Sequence, residues 1–158
     1  MHTTLSRTGI NLLALARRYA AAPDEWAFAP RFDPVRRWYA RLAVADDHEA
    51  WLLTWLPGQS TQLHDHGGSA GAFTVVSGVL TEYALRVGAA VTPLFDARLP
   101  AGSGRAFGPR HVHRIVNAGD RPAVSVHVYA PALRTMNRYE LDGAVLREVA
   151  LERAGVNW

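Results

Sequence analysis

Apolar positions along the chain recur first at helical spacing and then at strand spacing. Leu12, Leu15, Ala16 and Tyr19 fall three or four apart, which predicts an amphipathic helix from residue 5 to about residue 21. An aromatic connection broken by proline follows, carrying Trp26, Phe28, Pro30 and Pro34. Beyond it come short runs rich in valine, leucine, threonine and aromatics, punctuated by glycine or proline. Strands are predicted at 37–44, 50–56, 59–64, 72–76, 79–87, 105–107, 113–116 and 123–129. Residues 136–148 would add one or two edge strands around the turn at Asp142-Gly143. Short strands this closely spaced predict a β-sandwich or barrel rather than alternating strand and helix.

Length and composition agree with one folded domain. A chain of 158 residues buries roughly two-thirds of its unfolded surface, and no repeat or linker divides it. The expectation is a single domain over 1–158, with a helical part at 1–35 and a β-barrel at 36–150. All 17 basic residues are arginines, yet the formal charge is only +3. They are dispersed, with nothing denser than Arg17-Arg18 and Arg36-Arg37, so no nucleic-acid partner is expected. The absence of cysteine excludes disulfides, thiolate clusters and a cysteine nucleophile, so any metal must be held by histidine or carboxylate. The apolar stretch 10–16 is too short to span a bilayer, and the arginines directly after it fit a secretory signal poorly. A cytoplasmic protein without membrane contact is the expectation, with the oligomeric state left open and a monomer compatible.

The histidines bear the chemistry. Side chains two apart on a strand share a face, and His64 with His66, His111 with His113, and Ser125, His127 and Tyr129 are all spaced in this way. In the last set Val124, Val126 and Val128 make an apolar face and the polar trio looks the other way. Singly, each histidine reads as a solvent-facing residue on a half-wet sheet. Five of seven in such pairs point instead to a metal, because histidines gathered from two strands commonly hold a first-row ion.

Glycine spacing adds to this reading. Gly58 lies six positions before His64, and Gly71 and Gly78 lie five and twelve after His66. The pattern resembles the first cupin motif, except that Gly71 stands where the motif has its glutamate. Pro100-Ala101-Gly102 and His113-Arg114-Ile115-Val116-Asn117 resemble the second cupin motif, whose spacing selects His113 over His111 as third ligand. The expected shell is His64, His66 and His113 with no carboxylate. It would suit an electron-rich ligand such as a thiolate on a divalent ion, while zinc and a hydrolytic water remain open. The Gly108-Pro109 bend is expected to turn His111 toward solvent, and Asp65 should point away from the metal. His48 falls in a polar turn and is assigned no role.

From about residue 39 to residue 131 the chain resembles cysteine dioxygenases of the bacterial type, which are cupin-fold thiol dioxygenases. The resemblance rests on Tyr39-Ala40-Arg41, His64-Asp65-His66, His113-Arg114-Ile115-Val116-Asn117 and Ser125-Val126-His127-Val128-Tyr129 in order, with Pro131 following. It implies a mainly β cupin, that is, a double-stranded β-helix or jelly-roll barrel, with N-terminal helices. It implies Fe(II) on His64, His66 and His113, and oxidation of L-cysteine by O2 to cysteine sulfinate. Arg41 and Tyr129 would bind the substrate, with Tyr129, His127 and Ser125 supporting catalysis. Animal members form a cysteine–tyrosine crosslink; here Gly71 takes the cysteine's place and no crosslink can form. Relatives that act on 3-mercaptopropionate tend to carry glutamine at the position of Arg41. A dioxygenase for that or another small thiol, a non-enzymatic metal-binding cupin, and a cupin isomerase or hydrolase are the competing readings.

Overall fold

The computed structural model describes residues 9–87 and 91–153, without the Leu94 side chain. Its one α-helix, α1, is Leu12–Ala20. Asn11 caps it, its side-chain oxygen accepting from the Ala14 N–H at 3.0 Å. Arg17 and Arg18 occupy the last turn, where positive charge complements the helix dipole. The predicted helix starts earlier. Residues 5–8 lie outside the described residues, and Asn11 is extended, so α1 begins where its cap places it.

The expected plural helices are corrected to one among the described residues. Residues 21–38 form an irregular strap with a single 3-10 turn at Pro23–Glu25. Pro23, Pro30 and Pro34 each lack a backbone donor, which opposes a second helix along this stretch.

Eleven strands follow among the described residues: β1 Tyr39–Val44, β2 Glu49–Trp55, β3 Leu63–His64, β4 Ala70–Ser77, β5 Val79–Val87, β6 Val91–Pro100, β7 Gly104–Phe107, β8 Val112–Val116, β9 Ala123–Ala130, β10 Thr135–Asp142 and β11 Val145–Arg153. They build a five-stranded sheet in the order β1-β2-β9-β4-β7 and a six-stranded sheet in the order β11-β10-β3-β8-β5-β6. The sequence pattern does not foresee β6. Its Pro93 lies opposite Leu85, beside a register shift and on an edge strand, where a missing N–H is tolerated. The predicted strand 59–64 shrinks to β3, although Ser60 still bridges to Val116 and the Thr61 N–H still bonds to the Ile115 carbonyl.

The core lies between the sheets. Trp51, Leu53 and Trp55 of β2, Phe73 and Val75 of β4, and Tyr129 of β9 pack with Leu80, Leu99, Ile115 and Met136 of the other sheet. On the outer side Leu12, Leu15 and Ala16 of α1 pack with Ala50, Ala70, Ala72, Val128 and Ala130. These sheet residues are small, which lets the helix approach closely. Strand β9 is buried along its whole length. Its valines lie under α1 and the strap, so Ser125, His127 and Tyr129 are turned into the barrel.

Candidate metal centre

His64 ends β3 and stands directly across the ladder from His113 of β8, with their ring centroids 4.7 Å apart. His66 follows β3, and its ring lies 4.9 Å from each of the other two. One nitrogen from each ring can be chosen so that all three lie within 4.8 Å of one another. All three residues are buried.

Hydrogen bonds set the direction of each ring. The His64 Nδ1–H donates to the Gln62 carbonyl at 2.8 Å, and the His113 Nδ1–H donates to Glu82 at 2.7 Å. Both acceptors fix the tautomer, leaving Nε2 as a lone pair. His66 has no hydrogen-bond partner at either nitrogen, although an unpaired buried polar atom costs about 1–3 kcal/mol. Burial, then the proximity of the other histidines, pushes the pKa of His64 and His66 well below the ordinary value of 6.5. Burial also lowers His113, despite the raising effect of Glu82. Three neutral imidazoles with converging lone pairs are the form in which histidine binds a metal, so the donor set fits a first-row divalent ion.

Sequence reasoning missed Glu82. It lies on the inward parity of β5 between Leu80 and Ala84, and it is fully buried. A lone charge on an otherwise apolar strand face was the available signal. Burial would raise its pKa, but hydrogen bonds from His111 and His113 outweigh that and hold it at about 2. Glu82 also accepts from Arg105 Nε at 3.2 Å and lies 3.3 Å from His111 Nε2. Glu82, His111 and His113 therefore make a second group with ligand geometry. Its carboxylate is already occupied by these donors, whereas the three-histidine group has unpaired nitrogens. The inner group is the better candidate for a metal.

The expectation that His111 faces solvent is corrected. The bend after Gly108-Pro109 is present, but the ring folds back onto Phe107 at 4.9 Å and lies 4.8 Å from His113. Asp65 does point away from the cluster. It accepts from Asn137 N, Asn137 Nδ2 and the Tyr139 hydroxyl, tying the turn between His64 and His66 to β10. His48, assigned no role from the sequence, is buried and bridges Tyr19 and Asp47.

The trio on β9 faces the same interior. The Trp55 indole donates to Ser125 Oγ at 2.9 Å, which leaves the serine hydrogen for His127 Nε2 at 2.8 Å. His127 stacks on Phe73 at 5.2 Å, and burial followed by the nearby His113 lowers its pKa to about 3. Tyr129 stacks on His66 at 5.4 Å, and burial followed by Glu49 raises its pKa, so its phenol stays protonated.

Opposite Tyr129 lies Gly71. A Cβ there would meet Phe107 Cζ at 2.5 Å and Tyr129 Cδ1 at 3.0 Å. The space beside Gly71 is thus filled from across the ladder by Phe107. Gly71→Ala is expected to destabilise the protein by about 1–3 kcal/mol through overpacking. Urea unfolding measures this, and an unchanged midpoint would mean that Phe107 swings aside freely.

Of the expected substrate residues, Arg41 shows 54% of its side chain to solvent, lies 4.0 Å from Glu49, and packs 5.7 Å from the Trp51 ring.

The lowered histidines also make stability depend on pH. With folded pKa values below 6.5, the unfolded chain takes up protons first as pH falls. Their contribution is complete above 6.5 and is lost on acidification, for His127 through its folded value near 3. Metal-free protein is therefore expected to lose thermal stability below about pH 6.5, ahead of carboxylate titration. A melting temperature that stays level from about pH 7 to 5 would contradict this.

Two facing sheets that enclose converging histidines define a cupin metalloenzyme, and comparison with known proteins agrees. Among solved structures, an uncharacterized conserved protein with a double-stranded β-helix domain from Klebsiella pneumoniae superposes with a TM-score of 0.59 at 23% identity, covering 73% of this chain and 86% of that one. An rmlc-like cupin protein from Desulfovibrio desulfuricans gives 0.53 at 20% identity, covering 68% and 93%. Oxalate oxidase in complex with glycolate gives 0.55 at 18% identity, covering 66% and 56%. These three share the fold. The chain itself belongs to the cysteine dioxygenase type I family, which it matches over residues 8–142. No helix among the described residues is long and apolar enough to cross a membrane.

Proposed function

We propose that the protein is a thiol dioxygenase that oxidises L-cysteine with O2 to cysteine sulfinate, using iron(II) held by His64, His66 and His113. The observation that carries this reading is the buried set of three neutral imidazoles without a carboxylate among them, in a chain of this family. When bound, iron(II) supplies open positions for thiolate and dioxygen and the redox capacity to join them. The thiol and O2 together contain all the atoms of the sulfinic acid, both oxygens ending on sulfur.

The chain's own residues prepare that reaction. Glu82 holds the His113 ring with its lone pair turned inward, and the Gln62 carbonyl does the same for His64. Tyr129, kept protonated beside His66, presents a hydroxyl that donates a hydrogen bond to a bound ligand. Ser125 and Trp55 fix His127, whose ring lies 6.4 Å from that of Tyr129 and buttresses it. Phe73, Phe107 and Trp55 surround the site with apolar surface that excludes water. The carboxylate of the substrate would be met by an arginine on the inward side of β1, for which the sequence offers Arg41.

Metal analysis of anaerobically prepared protein, followed by mass spectrometry of L-cysteine after exposure to 18O2, tests this. Stoichiometric iron and two labelled oxygens in the product are expected. Strong preference for 3-mercaptopropionate would move the assignment to that substrate, and iron binding without any thiol oxidation would leave a metal-binding cupin.

A further inference from the structure

Of the three converging histidines, His64 and His113 each have one ring nitrogen fixed by a hydrogen bond, to the Gln62 carbonyl and to Glu82. Neither nitrogen of His66 has such a bond, although the residue is buried. What lies against this ring is aromatic. Phe107 stacks on it with centroids 4.6 Å apart and planes 27° from parallel, and Tyr129 does so at 5.4 Å and 28°.

Sheet register brings the two rings to one histidine. Phe107 of β7, Gly71 of β4 and Tyr129 of β9 lie side by side across three neighbouring strands, so their side chains leave the same face. Strands are spaced about 4.8 Å apart, which starts Phe107 and Tyr129 about 10 Å from each other. A side chain between them would hold them there, and Gly71 supplies none. Both rings lean into its place, where a Cβ would meet Phe107 Cζ at 2.5 Å and Tyr129 Cδ1 at 3.0 Å. His111 stacks on Phe107 as well, at 4.9 Å and 17°, and its Nε2 lies 3.3 Å from Glu82. The carboxylate that orients His113 is thus linked through two rings to His66.

We infer that Phe107 is a positioning residue for the metal centre, holding the plane of the His66 ring by stacking where His64 and His113 are held by hydrogen bonds, with Gly71 as the gap that admits it. This rests on the three-histidine site proposed above and adds the group that orients its one ligand without a polar anchor. Stacking fixes the plane of a ring, and an unbonded imidazole in a loosened seat can turn either nitrogen inward.

Three variants separate positioning from packing. Phe107→Leu keeps apolar bulk and removes the ring, whereas Gly71→Ala keeps the ring and pushes it aside. Their combination relieves the crowding, because the Phe107 atoms that a Cβ would meet are gone, so it should recover part of the urea midpoint lost in Gly71→Ala. Zinc affinity, read on folded protein by competition with a chelator, should fall about 2- to 10-fold in all three, the worth of one aromatic pair. Nitrogen-15 spectra of the zinc-loaded protein add a readout that packing alone would not move. The His66 ring should give one set of signals in wild type and a doubled or broadened set in Phe107→Leu, while His64, anchored to Gln62, keeps a single set. Unchanged zinc affinity in Phe107→Leu, or a His66 ring that keeps its single set there, overturns the inference. So does a combination that regains zinc affinity along with stability, which would mark Phe107 as a packing residue. Zinc bound without His66 in wild type overturns it together with the three-histidine site. The expected zinc results in a protein that oxidises no thiol retain the inference and remove only the proposed reaction.

Discussion

Replacement of His113 by alanine is expected to leave anaerobically prepared protein with less than about a tenth of the wild-type iron and no measurable oxidation of L-cysteine. The two clusters that share His113 make His111→Ala the informative companion. If the metal sits on His64, His66 and His113, the His111 variant keeps its iron, because that ring lies outside the three converging nitrogens and faces Glu82 at 3.3 Å. If the metal sits on Glu82, His111 and His113 instead, the His111 variant empties as well, and His66→Ala stays loaded. Metal content by mass spectrometry separates the two cases without reference to activity.

The second large effect is expected at Glu82. This carboxylate never reaches the inner cluster, yet it fixes the His113 ring at 2.7 Å and is itself held by Arg105. Glu82→Ala removes the acceptor that sets the tautomer, and iron affinity should fall by about 10- to 100-fold. It also leaves buried donors on His111 and His113 unmatched, at a cost to folding of about 3–5 kcal/mol. Glu82→Gln keeps the shape and one acceptor oxygen, so most of the stability should return while metal affinity stays depressed. A chelator competition that gives the same iron affinity for Glu82→Gln and wild type would remove Glu82 from any role at the centre.

Much of this arrangement is legible in the chain because strand periodicity is strict. Residues two apart on a strand must share a face, which by itself puts Ser125, His127 and Tyr129 together. The hairpin β10–β11 around Asp142-Gly143 follows from turn chemistry in the same local way. Strand β6 escaped notice because Pro93 reads as a break, and only its place at the sheet edge makes the proline harmless.

Local pattern does not say which strands become neighbours. That His64 faces His113 across a ladder, with β3 joined to β8, depends on closure of the sheet by chain far from either residue. Similarly, α1 and the strap cover the valines of β9, which decides that the polar trio and not the apolar set looks inward.

The charged residues show the same division more sharply. Sequence alone determined that any metal must rest on histidine or carboxylate, because the chain has no cysteine, and that His64 and His66 present themselves as a pair. Tertiary structure alone decided that Glu82 stands behind His113, that His111 folds inward, and that Arg37 is buried while Arg41 meets solvent. Burial is a property of what packs around a side chain from distant parts of the fold. The charge state and hydrogen-bonding needs of these groups follow from that packing, which no local pattern contains.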